Sequence, residues 1–129
     1  RIIFLNHLSH LDNLKRISTF DLYLDTFPYN GHTGISDSLF QSCVPTISFN
    51  GKSFASRVSK SLLLTLDLQN LIAHSEVEYK EKIEFFYSNK TELKKIRNYL
   101  LDYKSKNINR MKTFTKDFEN LMLKLVKKQ

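Results

Sequence analysis

Asp21-Leu22-Tyr23-Leu24-Asp25-Thr26-Phe27-Pro28-Tyr29-Asn30-Gly31-His32-Thr33-Gly34-Ile35 is the stretch on which the fold turns. A short apolar run closes at Asp25, a polar loop with two glycines follows, and apolar residues at helical spacing begin near Ile35 and continue through Leu39 and Cys43. Strand, tight loop, helix is the opening of a strand-helix-strand unit. In an open parallel sheet, ligands sit at the carboxyl ends of strands, where a helix N-terminus offers free backbone N–H groups and the positive end of a dipole. A phosphate suits that position. Gly31 and Gly34 let the backbone turn sharply and approach a ligand closely. Thr33 adds a hydroxyl, and Asp37, about one turn into the helix, can accept hydrogen bonds from a ribose. On these residues alone, an ordinary strand-helix turn with Thr33 as N-cap explains the stretch equally well.

Working outward, further strand-like runs occur at Ile2 to Leu5, Leu22 to Leu24 and Thr46 to Phe49, with a short fourth strand possible at Leu71 to Ala73. Between them lie helical patterns marked by Leu11, Leu14 and Ile17, by Ile35, Leu39 and Cys43, and by Phe54, Val58 and Leu62. This alternation predicts an α/β fold, a parallel sheet with crossover helices on its faces. After Ser75 only helices are expected. Their apolar stripes are Tyr79, Ile83, Phe86 and Tyr87, then Leu93, Ile96, Leu100 and Leu101, then Phe114, Phe118, Leu121, Met122, Leu125 and Val126. Breaks are expected at Asn89-Lys90-Thr91, with Thr91 as a helix cap, and at Asn107 to Asn109. The expected division is residues 1–75 as a Rossmann-like α/β part and 76–129 as helices packed back on it. Phe114 and Phe118 should then be mostly buried.

The net charge of +7 raises the question of nucleic acid, but its distribution argues against it. Residues 1–74 carry 6 Lys or Arg against 5 Asp or Glu, and residues 75–129 carry 14 against 8. In that second part the lysines alternate with Glu76, Glu78, Glu81, Glu84 and Glu92, the pattern of a solvated helix face with opposite charges one turn apart. Cys43, the single cysteine, excludes an internal disulfide and reads as a small buried apolar residue. Neither a membrane-length apolar run nor a signal-like segment is present, which predicts a soluble, cytoplasmic protein. Arg1 followed directly by Ile2-Ile3-Phe4-Leu5 suggests a sequence that continues upstream.

Several motifs in a fixed order carry a resemblance. Leu24 to Thr33 is followed by Val44-Pro45 before a strand, by Ala55-Ser56-Arg57-Val58 and Ser61-Leu62-Leu63, and by Asn70-Leu71-Ile72-Ala73-His74-Ser75 with Glu78-Tyr79. Leu93-Lys94-Lys95-Ile96-Arg97 and Glu119 complete the series. In combination these resemble the O-linked N-acetylglucosamine transferase family, which includes plant SPINDLY-type relatives. The resemblance implies the later part of the second, donor-binding half of a GT-B fold, in which two Rossmann-like halves face each other across a cleft. It also implies an inverting, metal-independent transfer of N-acetylglucosamine from UDP-N-acetylglucosamine to Ser or Thr hydroxyls of proteins, with no cofactor. By the motif, His32, Thr33 and Gly34 fall where the family contacts the donor diphosphate, and Asp37 where it contacts the ribose. His10, Asn13 and Arg16 fall in the region of the nucleotide base. The family's general base, main phosphate-binding lysine, acceptor-side half and tetratricopeptide repeats are expected upstream. The chain departs from the family at Asn13, which is not a ring, and at Gly34, where many members carry a second Thr. His7 and His74 are expected at the surface or satisfied by hydrogen bonds.

Three functions compete. The first is the UDP-N-acetylglucosamine-dependent transferase, with a GDP-fucose-dependent protein O-fucosyltransferase of the SPINDLY type as its rival. The second is a degenerate domain kept for protein interaction through the basic tail. The third is a small-ligand or RNA-binding module without chemistry. Keeping His32, Thr33 and Asp37 together favours the first, and titration with UDP, GDP and an RNA oligomer separates all of them.

Overall fold

The computed structural model describes residues 1–107 and 110–126. Its sheet has three parallel strands, β1 (Tyr23–Leu24), β2 (Thr46–Phe49) and β3 (Ile72–Ala73), in that spatial order. Tyr23 lies beside Thr46, and Ser48 beside Ile72. Thr46, Ile47 and Ser48 are all buried, which a strand achieves only when both of its faces are covered. The crossover from β1 to β2 is α2 (His32–Ser36), continued without interruption by a π-helical turn at Asp37–Gln41. The crossover from β2 to β3 is α3 (Val58–Thr65), flanked by 3-10 turns at Phe54–Ser56 and Gln69–Leu71. Before the sheet comes α1 (His10–Ser18), opened by Ser9, whose hydroxyl accepts from the Asp12 N–H.

After β3 the chain is helical: α4 (Glu76–Ser88), α5 (Lys90–Lys106) and α6 (Arg110–Val126). Helix α4 lies on β2 and β3, and α5 lies against the π-helical turn. Phe86, Leu93, Ile96 and Leu100 from these two helices join Ile35, Leu39, Ile47 and Leu63 in one apolar core. Polar tethers hold the same contact. Tyr79 donates to the Asp25 carbonyl at 2.9 Å, Lys82 to the Asn70 carbonyl at 2.8 Å and Lys104 to the Gln41 carbonyl at 2.6 Å. The Arg97 guanidinium spans the carbonyls of Ser18 and Phe20. The outward faces carry pairs one turn apart, Lys82 with Glu78, Lys95 with Glu92 and Lys106 with Asp102, as the charge pattern predicts for a solvated surface.

The structure departs from the expectations at five places. Residues 2–5 form no strand: among the described residues no neighbour supplies a ladder, and Ile2 and Phe4 are 85% and 94% exposed. Helix α2 begins at His32, three residues before Ile35, because a helix starts with the turn whose hydrogen bonds it closes and not with its first buried side chain. Helix α3 turns Ser59 and Leu63 to the core, while Phe54 is exposed and Val58 and Leu62 are half-buried; the 3-10 turn before it shifts the face from the one expected. Asn89, not Thr91, separates α4 from α5, and Thr91 sits inside the first turn of α5. Phe114 and Phe118 are 63% and 52% exposed, and every side chain from Lys112 to Val126 is exposed. Packing of the tail on the sheet therefore belongs to α4 and α5, whereas the rings of α6 stack on each other and face solvent. The expected break at 107–109 falls partly on residues 108 and 109, outside the described residues; Asn107 is the C-cap of α5.

Candidate functional site

The loop between β1 and α2 is built around a buried carboxylate. One oxygen of Asp25 accepts from the backbone N–H groups of Thr26 (2.9 Å) and Gly31 (2.8 Å), which joins the start of the loop to its end. The other accepts from the Ser48 hydroxyl of β2 at 2.6 Å. Within the loop Asn30 is fully buried; its amide donates to the Thr26 carbonyl and its side-chain oxygen accepts from the Ser59 N–H of α3. The Asn30 N–H also bonds the Ala55 carbonyl at 2.9 Å. Every bend of the loop is thus fixed from inside, leaving residues 32 to 34 to face outward.

Helix α2 opens at Gly31, and its first intrahelical bond runs from the Ile35 N–H to the Gly31 carbonyl at 2.8 Å. The His32 N–H bonds the Asn30 carbonyl, and among the described residues nothing accepts from the N–H groups of Thr33 or Gly34. Those two donors, at the carboxyl end of β1, are the free groups that a helix N-terminus offers an anion. Thr33 is exposed and His32 half-exposed. The His32 ring stacks on Tyr29 with centroids 4.8 Å apart and sets its Nε2 3.3 Å from the Ala55 carbonyl oxygen. Asp37 follows Thr33 and Gly34 by four and three residues, so all three share one helix face.

His10 Nε2 lies 3.0 Å from the Asp37 carboxylate. The structure thereby brings together two candidates from distant parts of the sequence. It binds the other two to each other: Arg16 donates to the Asn13 side-chain oxygen at 2.6 Å and to the Asn6 carbonyl at 2.8 Å. His7 and His74 are both exposed. Cys43 is buried in the core, and burial pushes its thiol pKa up, so it acts there as an apolar group. Among the described residues no group of His, Cys, Asp and Glu could hold a metal ion.

Sequence reading missed Asp25, Asn30 and two tyrosines. The Tyr79 hydroxyl has its pKa pushed up to about 12, first by burial and then by Asp25. Tyr23 is raised in the same direction, first by burial and then by the Asp25 and Asp37 carboxylates. Both phenols stay protonated near neutrality and can donate. A legible signal existed only for Asp25, a carboxylate directly after an apolar run and before a glycine loop. Two open clefts flank this region. One, of about 230 Å³, is lined by Asp25, Phe27, Phe49, Glu76, Tyr79 and Lys80; the other, of about 360 Å³, by Phe54, Arg57, Val58, Ser61 and Leu62.

The comparisons with known proteins agree with this architecture. A tomato protein (Solanum lycopersicum) named as a probable UDP-N-acetylglucosamine–peptide N-acetylglucosaminyltransferase SPINDLY is 39% identical over 105 residues, covering 81% of this chain and 11% of that protein. Its Arabidopsis thaliana counterpart is 37% identical over 101 residues, covering 78% of the chain and 10% of the relative. The chain thus spans about a tenth of the length of these relatives. Among solved structures, a mutant O-GlcNAc transferase from Thermobaculum terrenum superposes with a TM-score of 0.85 at 26% identity, over 92% of this chain and 23% of that one. Residues 1–118 match the sequence profile of glycosyl transferase family 41, so that profile takes in the loop, both crossovers and most of the helical tail. Because that profile covers nearly the whole length of the sequence, the chain belongs to glycosyl transferase family 41.

Proposed function

We propose that this chain is the donor-binding part of an inverting glycosyltransferase that moves N-acetylglucosamine from UDP-N-acetylglucosamine to Ser or Thr hydroxyls of proteins. The observation that carries the reading is the pair of unpartnered N–H groups on Thr33 and Gly34, at the carboxyl end of β1 and on one helix face with Asp37. In this reading the diphosphate sits on His32, Thr33 and Gly34, the ribose hydroxyls reach Asp37, and the base lies toward His10, Asn13 and Arg16. As the acceptor hydroxyl gives its proton to a general base and its oxygen bonds to the anomeric carbon, the bond from that carbon to the β-phosphate oxygen breaks and negative charge grows on the phosphate. Fixed N–H donors and the helix dipole stabilise that charge where a metal ion would otherwise be needed. In the same reading the general base and the acceptor-side half lie outside this chain. A cytoplasmic setting is part of the same reading; among the described residues no helix is long and apolar enough to cross a membrane.

In a second reading the donor is GDP-fucose, because the base region selects neither nucleotide. Asn13 offers no ring to stack on a base and is instead bonded to Arg16. Titration of the full-length parent protein with UDP, GDP and an RNA oligomer decides. Saturable binding of UDP supports the main reading, binding of GDP alone supports the second, and binding of RNA alone defeats both.

A further inference from the structure

Gly34 is the position where this chain lacks a side chain beside the free N–H groups, and the space is not empty. A Cβ built on Gly34 would come 3.0 Å from the Tyr23 hydroxyl, tighter than ordinary van der Waals contact. Tyr23 reaches that point from β1, with its ring half-buried against the core. Among the described residues no hydrogen bond engages its hydroxyl, whose pKa is raised first by burial and then by the Asp25 and Asp37 carboxylates. Half-buried beside the opening turn of α2, this phenol keeps an O–H free to donate to a ligand.

We propose that Tyr23 is a further donor-binding residue, whose hydroxyl, seated against Gly34, donates to the nucleotide diphosphate in place of a hydroxyl-bearing side chain at position 34. Tyr23 and Gly34 are then a matched pair. The ring supplies from the strand what the helix lacks, and the glycine leaves room for it. This rests on the donor-site reading above. A hydroxyl at this place adds one charge-assisted bond to those of the Thr33 and Gly34 N–H groups, and removing such a bond weakens binding by about tenfold or somewhat more.

The test uses the full-length parent protein, with UDP and GDP as probes and uridine and guanosine as phosphate-free controls. Tyr23→Phe keeps the ring and removes only the hydroxyl. It is expected to lose about tenfold in affinity for the diphosphate that the unmodified protein binds, with the matching nucleoside unaffected and the Tm unchanged, because the hydroxyl has no partner within the protein. Gly34→Thr is expected to lose binding through collision with Tyr23, and Tyr23→Ala combined with Gly34→Thr to recover most of it. Unchanged diphosphate affinity in Tyr23→Phe, while Asp37→Ala still weakens it, overturns the role of Tyr23 and leaves the donor site standing. Equal losses for diphosphate and nucleoside in Tyr23→Phe overturn it as well, since the residue would then act on the base or the ribose. An unmodified protein that binds neither UDP nor GDP removes both the site and this proposal.

Discussion

Asp25 shows how one buried side chain can set the shape of a loop. It is 7% exposed and accepts three hydrogen bonds, from Thr26, Gly31 and Ser48. Asp25→Ala would strand two backbone N–H groups and a hydroxyl in a nearly dry place, so a loss of about 3 kcal/mol or more is expected in urea unfolding. A loss below about 1 kcal/mol would mean that the loop keeps its shape without it. Asp37 differs, because its main expected effect is on ligand and not on fold. Asp37→Ala should weaken nucleotide binding by the parent protein by about 1–3 kcal/mol, while His7→Ala and His74→Ala change it little. Equal effects at all three positions would contradict the assignment. Tyr79 adds a pH dependence. Its folded pKa, about 12, stands above the ordinary 10.0, so the unfolded chain gives up this proton at lower pH than the folded one. Its contribution is therefore intact below about pH 10 and is lost as pH rises toward 12. Tyr79→Phe should flatten the decline of the urea midpoint across that window; an unaltered decline would assign it to other groups.

At the scale of elements, α3 separates what a pattern can say from what only packing decides. Spacing places a helix there, yet a 3-10 turn capped by Ser53 precedes it and rotates the following helix so that Leu63 is fully buried and Leu62 is not. Leu63→Ala is expected to cost about 2–5 kcal/mol and Leu62→Ala under about 1.5 kcal/mol, measured by chemical denaturation. The reverse order would restore the face that the spacing suggested. The same distinction explains what was legible elsewhere. β2 was readable because Thr46 to Phe49 is a short run of strand character set between two helical patterns. Residues 2–5 carry an equally apolar run, but a strand is a relation between two chains, and no sequence run states whether its neighbour is there. In the site, the strand-loop-helix order was readable from glycines and spacing. The pairing of His10 with Asp37 was not, since it joins residues 27 positions apart through the packing of α1 on the crossover. Tyr23 was hidden for the same reason: its hydroxyl matters through Gly34, a neighbour that tertiary structure alone supplies.

Over the whole molecule, apolar burial ends before the chain does. Phe86 of α4 is 3% exposed and sits in the core with Leu93 and Leu100, whereas Phe118 of α6 is 52% exposed although both belong to amphipathic patterns that look alike in sequence. Hydrophobic stabilisation scales with area removed from water, so these rings cannot contribute equally. Periodicity states that a helix has an apolar face; it does not state that the face has anything to lie on. In the 129-residue chain Phe86→Ala should therefore cost about 3–5 kcal/mol through lost contacts and a residual cavity, and Phe114→Ala and Phe118→Ala under about 0.5 kcal/mol each. Guanidinium unfolding followed by far-UV circular dichroism measures all three on the same footing. A cost of several kcal/mol at Phe118 in this chain would show that α6 is packed in solution and would restore the tail, all three helices together, as a layer of the sheet domain. With the expected small costs, the cooperative unit ends with α5, whose Leu100 is the last fully buried core side chain among the described residues, and α6 unfolds without lowering the stability of what precedes it.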